Sequence, residues 1–146
     1  MSGKCFVDTN VLVYAHDAEA GARHERAKEV LGELWDSGTG VISTQVLQEL
    51  CLNVRRKYRR PFSIEETQIL IQSYANWEVV INDTKSVLEA LAFERRYKVS
   101  FWDALILQAA ENAGVETLLS EDLAAGQRYG GFRVENPFAG LPKRQG

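Results

Sequence analysis

The chain has 146 residues, 45% of them hydrophobic and 25% charged, which is enough for one ordinary domain with a real core. A formal net charge of −3 argues against a protein that coats nucleic acid by bulk electrostatics, although clustered basic residues can still grip it locally. The two cysteines, Cys5 and Cys51, have no paired spacing, so a disulfide framework or zinc site is not expected, and both read as buried, reduced thiols. With no apolar run of membrane length and no signal-like N-terminus, the expectation is a cytoplasmic protein that makes no membrane contact.

In chain order, residues 4–7 read as a buried first strand that ends at Asp8. A short helix follows over 9–15. Ala27, Val30, Leu31 and Leu34 recur at helical spacing and predict an amphipathic helix that stops near Gly38. Residues 40–42 form a second strand, and Ser43 or Thr44 can cap a helix over 45–57 whose apolar stripe is Val46, Leu47, Leu50, Cys51 and Val54. After Pro61, Ser63 and Glu66 have capping-box spacing and open a helix to about 76, with Ile64, Ile69, Leu70 and Tyr74 expected in the core. A third strand over 78–81, a helix from 82 or 83 to 97, and a helix from Ser100 to 112 closed by Gly114 come next. Strands over 117–119 and 132–135 complete the pattern. Residues 1–137 then form one domain, and 138–146 a poorly anchored tail.

Strands alternating with helices imply an α/β fold with a mainly parallel central sheet of four to five strands flanked by helices. Ligands of such sheets sit outside the carboxyl ends of the strands. The carboxylates fall at that edge. Asp8 terminates the first strand, and Asp122 lies in the loop after the fourth. Glu49 is a turn into the helix after the second strand, in a polar stripe with Gln45 and Asn53. Asp103 interrupts the apolar run from Phe101 to Ile106. Each has an ordinary alternative: a helix cap for Asp8, a capping box for Asp103 with Ser100, a solvated carboxylate for Glu49, a turn residue for Asp122.

Two like charges about 4 Å apart repel by about 4 kcal/mol at an effective dielectric near 20. A cluster of four must take up protons or hold cations. Oxygen donors without histidine or cysteine favour Mg²⁺ or Mn²⁺, ions that activate water and stabilise charge on a phosphate.

These residues also carry a family resemblance. Phe6, Val7, Asp8, Thr9 and Asn10, then Glu49, then Ser100, Phe101, Trp102, Asp103, Ala104, Leu105 and Ile106, then Leu119, Ser120, Glu121, Asp122 and Leu123 resemble, in that order, the motifs of PIN-domain ribonucleases, specifically the VapC-type toxins of toxin–antitoxin pairs. The resemblance implies a single PIN-like domain, divalent-metal-dependent endonucleolytic cleavage of RNA, a homodimer, and inhibition by a cognate antitoxin. Carried over position by position, Asp8, Glu49, Asp103 and Asp122 would be the catalytic, metal-ligating acids, supported by Thr9, Asn10 and Ser120. Glu121 adjoins Asp122, but the family's Ser/Thr-any-Asp spacing selects Asp122.

Arg55, Arg56, Lys57, Arg59 and Arg60 surround Tyr58 and offer RNA-backbone contacts with a ring for base stacking, or else cations favoured at a helix C-terminus. Arg95, Arg96 and Lys98 are a second basic patch. Trp35, Trp77 and Trp102 are expected in the core, and His16 and His24 in surface or capping roles. Two other readings compete with the nuclease. One is a catalytically inactive module that binds RNA or protein. The other is a phosphotransfer enzyme with Asp8 as nucleophile, disfavoured because position 10 is Asn10 rather than a second aspartate.

Overall fold

In the computed structural model, residues 3–142 are described. Strand β1 (Cys5–Val7) leads through α1 (Thr9–Ala15) and α2 (Ala22–Ser37) to β2 (Gly40–Ser43). Helices α3 (Thr44–Arg56) and α4 (Ile64–Tyr74) precede β3 (Glu78–Val80). Helices α5 (Thr84–Tyr97) and α6 (Phe101–Ala113) precede β4 (Thr117–Leu119), and the chain continues to β5 (Arg128–Tyr129) and β6 (Phe132–Glu135). These strands make one sheet in the order β3-β2-β1-β4-β6-β5, parallel except for the β5–β6 pair.

Among the described residues the sheet therefore has six strands, where the sequence reading gives four to five. The added β5 is a two-residue strand joined to β6 through Gly130 and Gly131, with Tyr129 opposite Phe132. Gly130 has φ 56°, a conformation that a two-residue hairpin needs and a side chain resists. That Gly-Gly pair was the available signal.

The central strand is an unbroken apolar run because both its faces are covered: Cys5, Phe6 and Val7 are all fully buried. At the head of β2, an added Cβ on Gly40 would stand 2.5 Å from the Trp77 ring, so only glycine lets the strand lie against that indole. Helix starts follow their caps. Ser43 and Ser63 accept from the backbone N–H groups of Val46 and Glu66, and Asp83 from that of Ser86. The capping box of Ser63 and Glu66 is complete.

Several burial expectations change. Leu70 and Tyr74 are buried, but Ile64 and Ile69 on the same helix are exposed, because α4 covers the core with one narrow face. Cys5 is buried and Cys51 half-buried, and both are free thiols. Trp77 is buried, whereas Trp35 is 41% and Trp102 63% exposed. The tail begins later than residue 138: Phe138 is only 2% exposed and packs edge-on against Tyr14 at 5.1 Å between ring centroids. The last four residues of the expected tail lie outside the described residues. No helix of the described residues is long and apolar enough to cross a membrane.

Candidate active site

Strand β1 sits where the sheet order reverses, with β2 on one side and β4 on the other. In parallel sheets, such a reversal opens a crevice at the carboxyl ends of the two strands. Val7 pairs with Leu119, and the backbone N–H of Asp8 donates to the Leu119 carbonyl at 2.9 Å. Asp8 and Ser120 therefore leave neighbouring strand ends together.

Their side chains meet there. The Ser120 hydroxyl donates to Asp8 Oδ2 at 2.8 Å, and the Thr9 backbone N–H donates to Asp8 Oδ1 at 2.8 Å. Asp8 is thus both the N-cap of α1 and a wall of the crevice. Ser120 is fully buried, and its oxygen also accepts from the backbone N–H groups of Asp122 and Leu123, each at 3.3 Å. One serine ties the Asp8 carboxylate to the loop that carries Asp122.

Glu49 reaches the same place from α3. Thr9 Oγ1 donates to its Oε1 at 2.5 Å, and Gln45 Nε2 donates to its Oε2 at 3.3 Å. Gln45 Nε2 lies equally close to the carbonyl of Trp102, which links α3 to the first turn of α6. Asn53 Nδ2 donates to the Glu49 carbonyl at 2.8 Å, and Asn10 Nδ2 donates to Asp122 Oδ2. At the head of α6, Ser100 Oγ accepts from the Asp103 backbone N–H at 3.1 Å. The reciprocal side-chain bond that completes the box at Ser63 is not made there, and the Asp103 carboxyl lines the crevice instead.

Asp8, Glu49, Asp103 and Asp122, from four separate segments, line one cleft of about 380 Å³, with Thr9 and Asn10 between them. Burial pushes the Asp8 carboxyl up to about 6; the Ser120 and Thr9 donors pull it down, while Glu49 and Asp122 push it further up. A carboxyl that resists ionisation among other carboxylates is a place where a cation would be stabilised. Among the described residues, no three acidic, histidine or cysteine side chains converge tightly enough to be a finished metal site as they stand. The donor set itself is all oxygen and suits a hard divalent ion.

Glu121 faces elsewhere. The Arg23 guanidinium donates to it at 2.9 Å and the Tyr14 hydroxyl at 3.0 Å, in a pair with little solvent access. It lines a separate hollow with Phe138 and Leu141.

The basic run splits three ways. Arg56 and Lys57 line the acidic cleft, Arg55 lies on the α3–α4 face beside Ile64, and Arg59 and Arg60 border a hollow with His16 and Asp17. Tyr58 does not offer a stacking surface. It is 7% exposed, and its hydroxyl donates to the Val13 carbonyl, because the turn after α3 folds its ring back onto the core. Arg95, Arg96 and Lys98 are exposed but do not line this cleft, and Arg96 lies over the Tyr97 ring at 5.2 Å. His16 pairs with the Tyr74 hydroxyl at 2.8 Å, and His24 with the Tyr14 carbonyl at 3.0 Å. Sequence reasoning missed two residues that line the cleft, Leu52 and Trp102. For Trp102, its place beside Asp103, one residue from the crevice, was the signal.

A profile described as PIN domain matches residues 5–128. No match was found among curated protein sequences. Among solved structures, a toxin–antitoxin complex from Klebsiella pneumoniae is 22% identical with a TM-score of 0.62, covering 95% of this chain and 93% of that one. VapC20 of Mycobacterium tuberculosis, a toxin that cleaves the sarcin–ricin loop, is 21% identical with a TM-score of 0.62, over 82% and 92%. VapBC2 of Rickettsia felis, bound to promoter DNA, is 24% identical with a TM-score of 0.60, over 90% and 97%. At these identities the structural likeness speaks for the fold, and the profile match speaks for the family. With its sheet order, its crevice and a match that runs from the first strand to the fifth, the chain belongs to the PIN-domain family.

Proposed function

We propose that the protein is a divalent-metal-dependent endoribonuclease and the toxin of a toxin–antitoxin pair, acting in the cytoplasm. The observation that carries this reading is the meeting of four carboxylates, from the residue after β1, from α3, from α6 and from the loop after β4, in one cleft lined also by Arg56 and Lys57. The solved toxin–antitoxin complexes that share the fold support the biological setting, and with it a cognate antitoxin as partner; a homodimer is part of the same proposal.

Asp8, Glu49, Asp103 and Asp122 would hold Mg²⁺ or Mn²⁺. When bound, such an ion supplies charge neutralisation at a phosphodiester and a water of lowered pKa. The chain's own residues do the rest. Ser120 and the Thr9 backbone hold both oxygens of Asp8, so its carboxyl keeps one orientation in the cleft. Thr9 and Gln45 fix Glu49 from opposite oxygens. Donors that lock an acid in this way raise its precision as a ligand and lower the reorganisation required in the reaction. Arg56 and Lys57 draw the RNA backbone towards an otherwise anionic crevice, and their guanidinium and ammonium groups place the phosphate beside the acids. No side-chain nucleophile is required of this site.

The test is cleavage of a structured RNA pool by the purified protein and by Asp8→Asn, each with Mg²⁺, Mn²⁺ or EDTA. Metal-dependent cleavage lost in the variant is expected. Metal-independent RNA binding without cleavage would favour an inactive binding module.

A further inference from the structure

We infer that Trp102 is the platform on which an unstacked nucleobase next to the scissile phosphate rests. This deepens the nuclease reading and rests on it. In α6 every residue from Ala104 to Ala110 is buried, yet the indole two positions earlier is 63% exposed. An exposed tryptophan at the mouth of a charged cleft gains nothing from the core and has its apolar ring free for a ligand.

Its position is fixed by the same group that fixes an acid. Gln45 Nε2 contacts both the Trp102 carbonyl and Glu49 Oε2 at 3.3 Å, so the backbone that carries the indole is tied to the carboxylate cluster. The ring contact of Trp102 among the described residues is with Phe101, at 5.5 Å and 74°, which is edge-on rather than stacked. No ring of the protein therefore lies flat upon it among those residues.

The cleft's chemistry favours a nucleotide over an apolar protein segment as occupant. An apolar segment laid across Trp102 would take the flanking carboxylates and the Arg56 and Lys57 cations out of water without replacing their partners, at a cost of several kcal/mol. A nucleotide brings its own phosphate to those cations and a flat π-face to the indole. In a duplex the base faces are already covered by their neighbours, so only a base that has left its stack can use the ring. The sequence pointed to Tyr58 for this task; the fold buries Tyr58 and presents Trp102 at the same cleft as the acids.

The experiment measures binding of a random ten-nucleotide RNA pool and of a blunt RNA duplex, in the cleavage-silent Asp8→Asn protein. Trp102→Leu and Trp102→Phe are added to that background. Loss of one base–aromatic stack predicts roughly tenfold weaker single-strand binding for Trp102→Leu. Trp102→Phe stays within about threefold, and duplex binding is unchanged in both. Equal loss for leucine and phenylalanine overturns the proposal, as does equal loss on single strand and duplex, or no loss at all. Altered self-association by sedimentation with RNA binding intact would make Trp102 a protein contact and also overturn it. If the parent protein binds neither RNA, the nuclease reading falls first, and this inference falls with it.

Discussion

Glu121, on one side of the loop after β4, is met by the Arg23 guanidinium at 2.9 Å and the Tyr14 hydroxyl at 3.0 Å. Asp8, on the other side, receives a serine hydroxyl and a backbone N–H, and has Glu49 and Asp122 as electrostatic neighbours. Arg23 is itself braced between the Tyr14 and Phe138 rings, 5.9 and 5.8 Å from their centroids. One region thus brings its own cation to a buried carboxylate and holds it rigidly. The other surrounds its carboxylate with orienting donors and more negative charge. The first arrangement is what a fold uses to anchor a loop. The second leaves repulsion in the folded state, which an incoming cation can relieve.

The largest effect expected from this contrast is on cleavage. Asp8→Asn removes several kcal/mol of transition-state charge stabilisation and should slow RNA hydrolysis by on the order of 10²–10³-fold or more. Glu121→Gln, one position from Asp122, should stay within about tenfold of the parent rate per folded molecule. Equal losses in single-turnover assays would break the distinction between the two regions. Next in size is the anchor. Arg23→Ala leaves Glu121 without its guanidinium in a nearly buried site and should cost about 3 kcal/mol in urea unfolding.

The third effect runs the other way. The Asp8 carboxyl is raised from 3.8 to about 6. Below 3.8 it is protonated in both folded and unfolded chains, and no penalty exists. As pH climbs towards 6, the unfolded chain releases the proton that the folded one keeps, so folding stability falls, and above 6 the penalty is complete. Asp8→Asn, which never carries that charge, should therefore be more stable than the parent at pH 7 without metal. After allowance for partial solvent access and an altered hydrogen bond, the gain should be about 1–2 kcal/mol, shrinking as pH is lowered from 6 to 4. A gain independent of pH would remove the buried charge of Asp8, penalised first by burial and then by Glu49 and Asp122, as its cause. Smallest of all is Tyr58→Phe, which should cost about 1 kcal/mol through the lost bond to Val13 and leave RNA cleavage unchanged.

What could be read from the sequence follows from how local each signal was. Asp8 is tied to its strand by one peptide bond, so a buried run ending in an acid places it at the sheet's edge. Glu49 lies within the first turns of a helix that begins at a visible cap, which fixes its angle to within a turn. Among the described residues, the six α-helices and five of the six strands carry their own periodicity, caps or apolar runs. Other features depend on tertiary packing, which no local pattern encodes. Tyr58 and Trp102 both flank charged residues, and only the path of the turn after α3 and the overhang of α6 decide which ring is buried. Ile64 and Ile69 read as core because helical spacing does not say how wide a face the neighbours cover. Phe138 follows a proline and precedes small residues, yet the Tyr14 and Arg23 side chains give it a socket. Two-residue β5 is too short to have a period at all.

The most direct test of the claim that this cleft wants a cation is the unfolding free energy of the parent and of Asp8→Asn, measured at pH 7 across a Mn²⁺ titration. The order is expected to reverse. Without metal the variant is the more stable; at about a hundred times the dissociation constant the parent gains about 2.7 kcal/mol and overtakes it, while the variant gains far less. Parallel curves, or no response of the parent to Mn²⁺, would contradict the assignment of Asp8 to a metal-binding site.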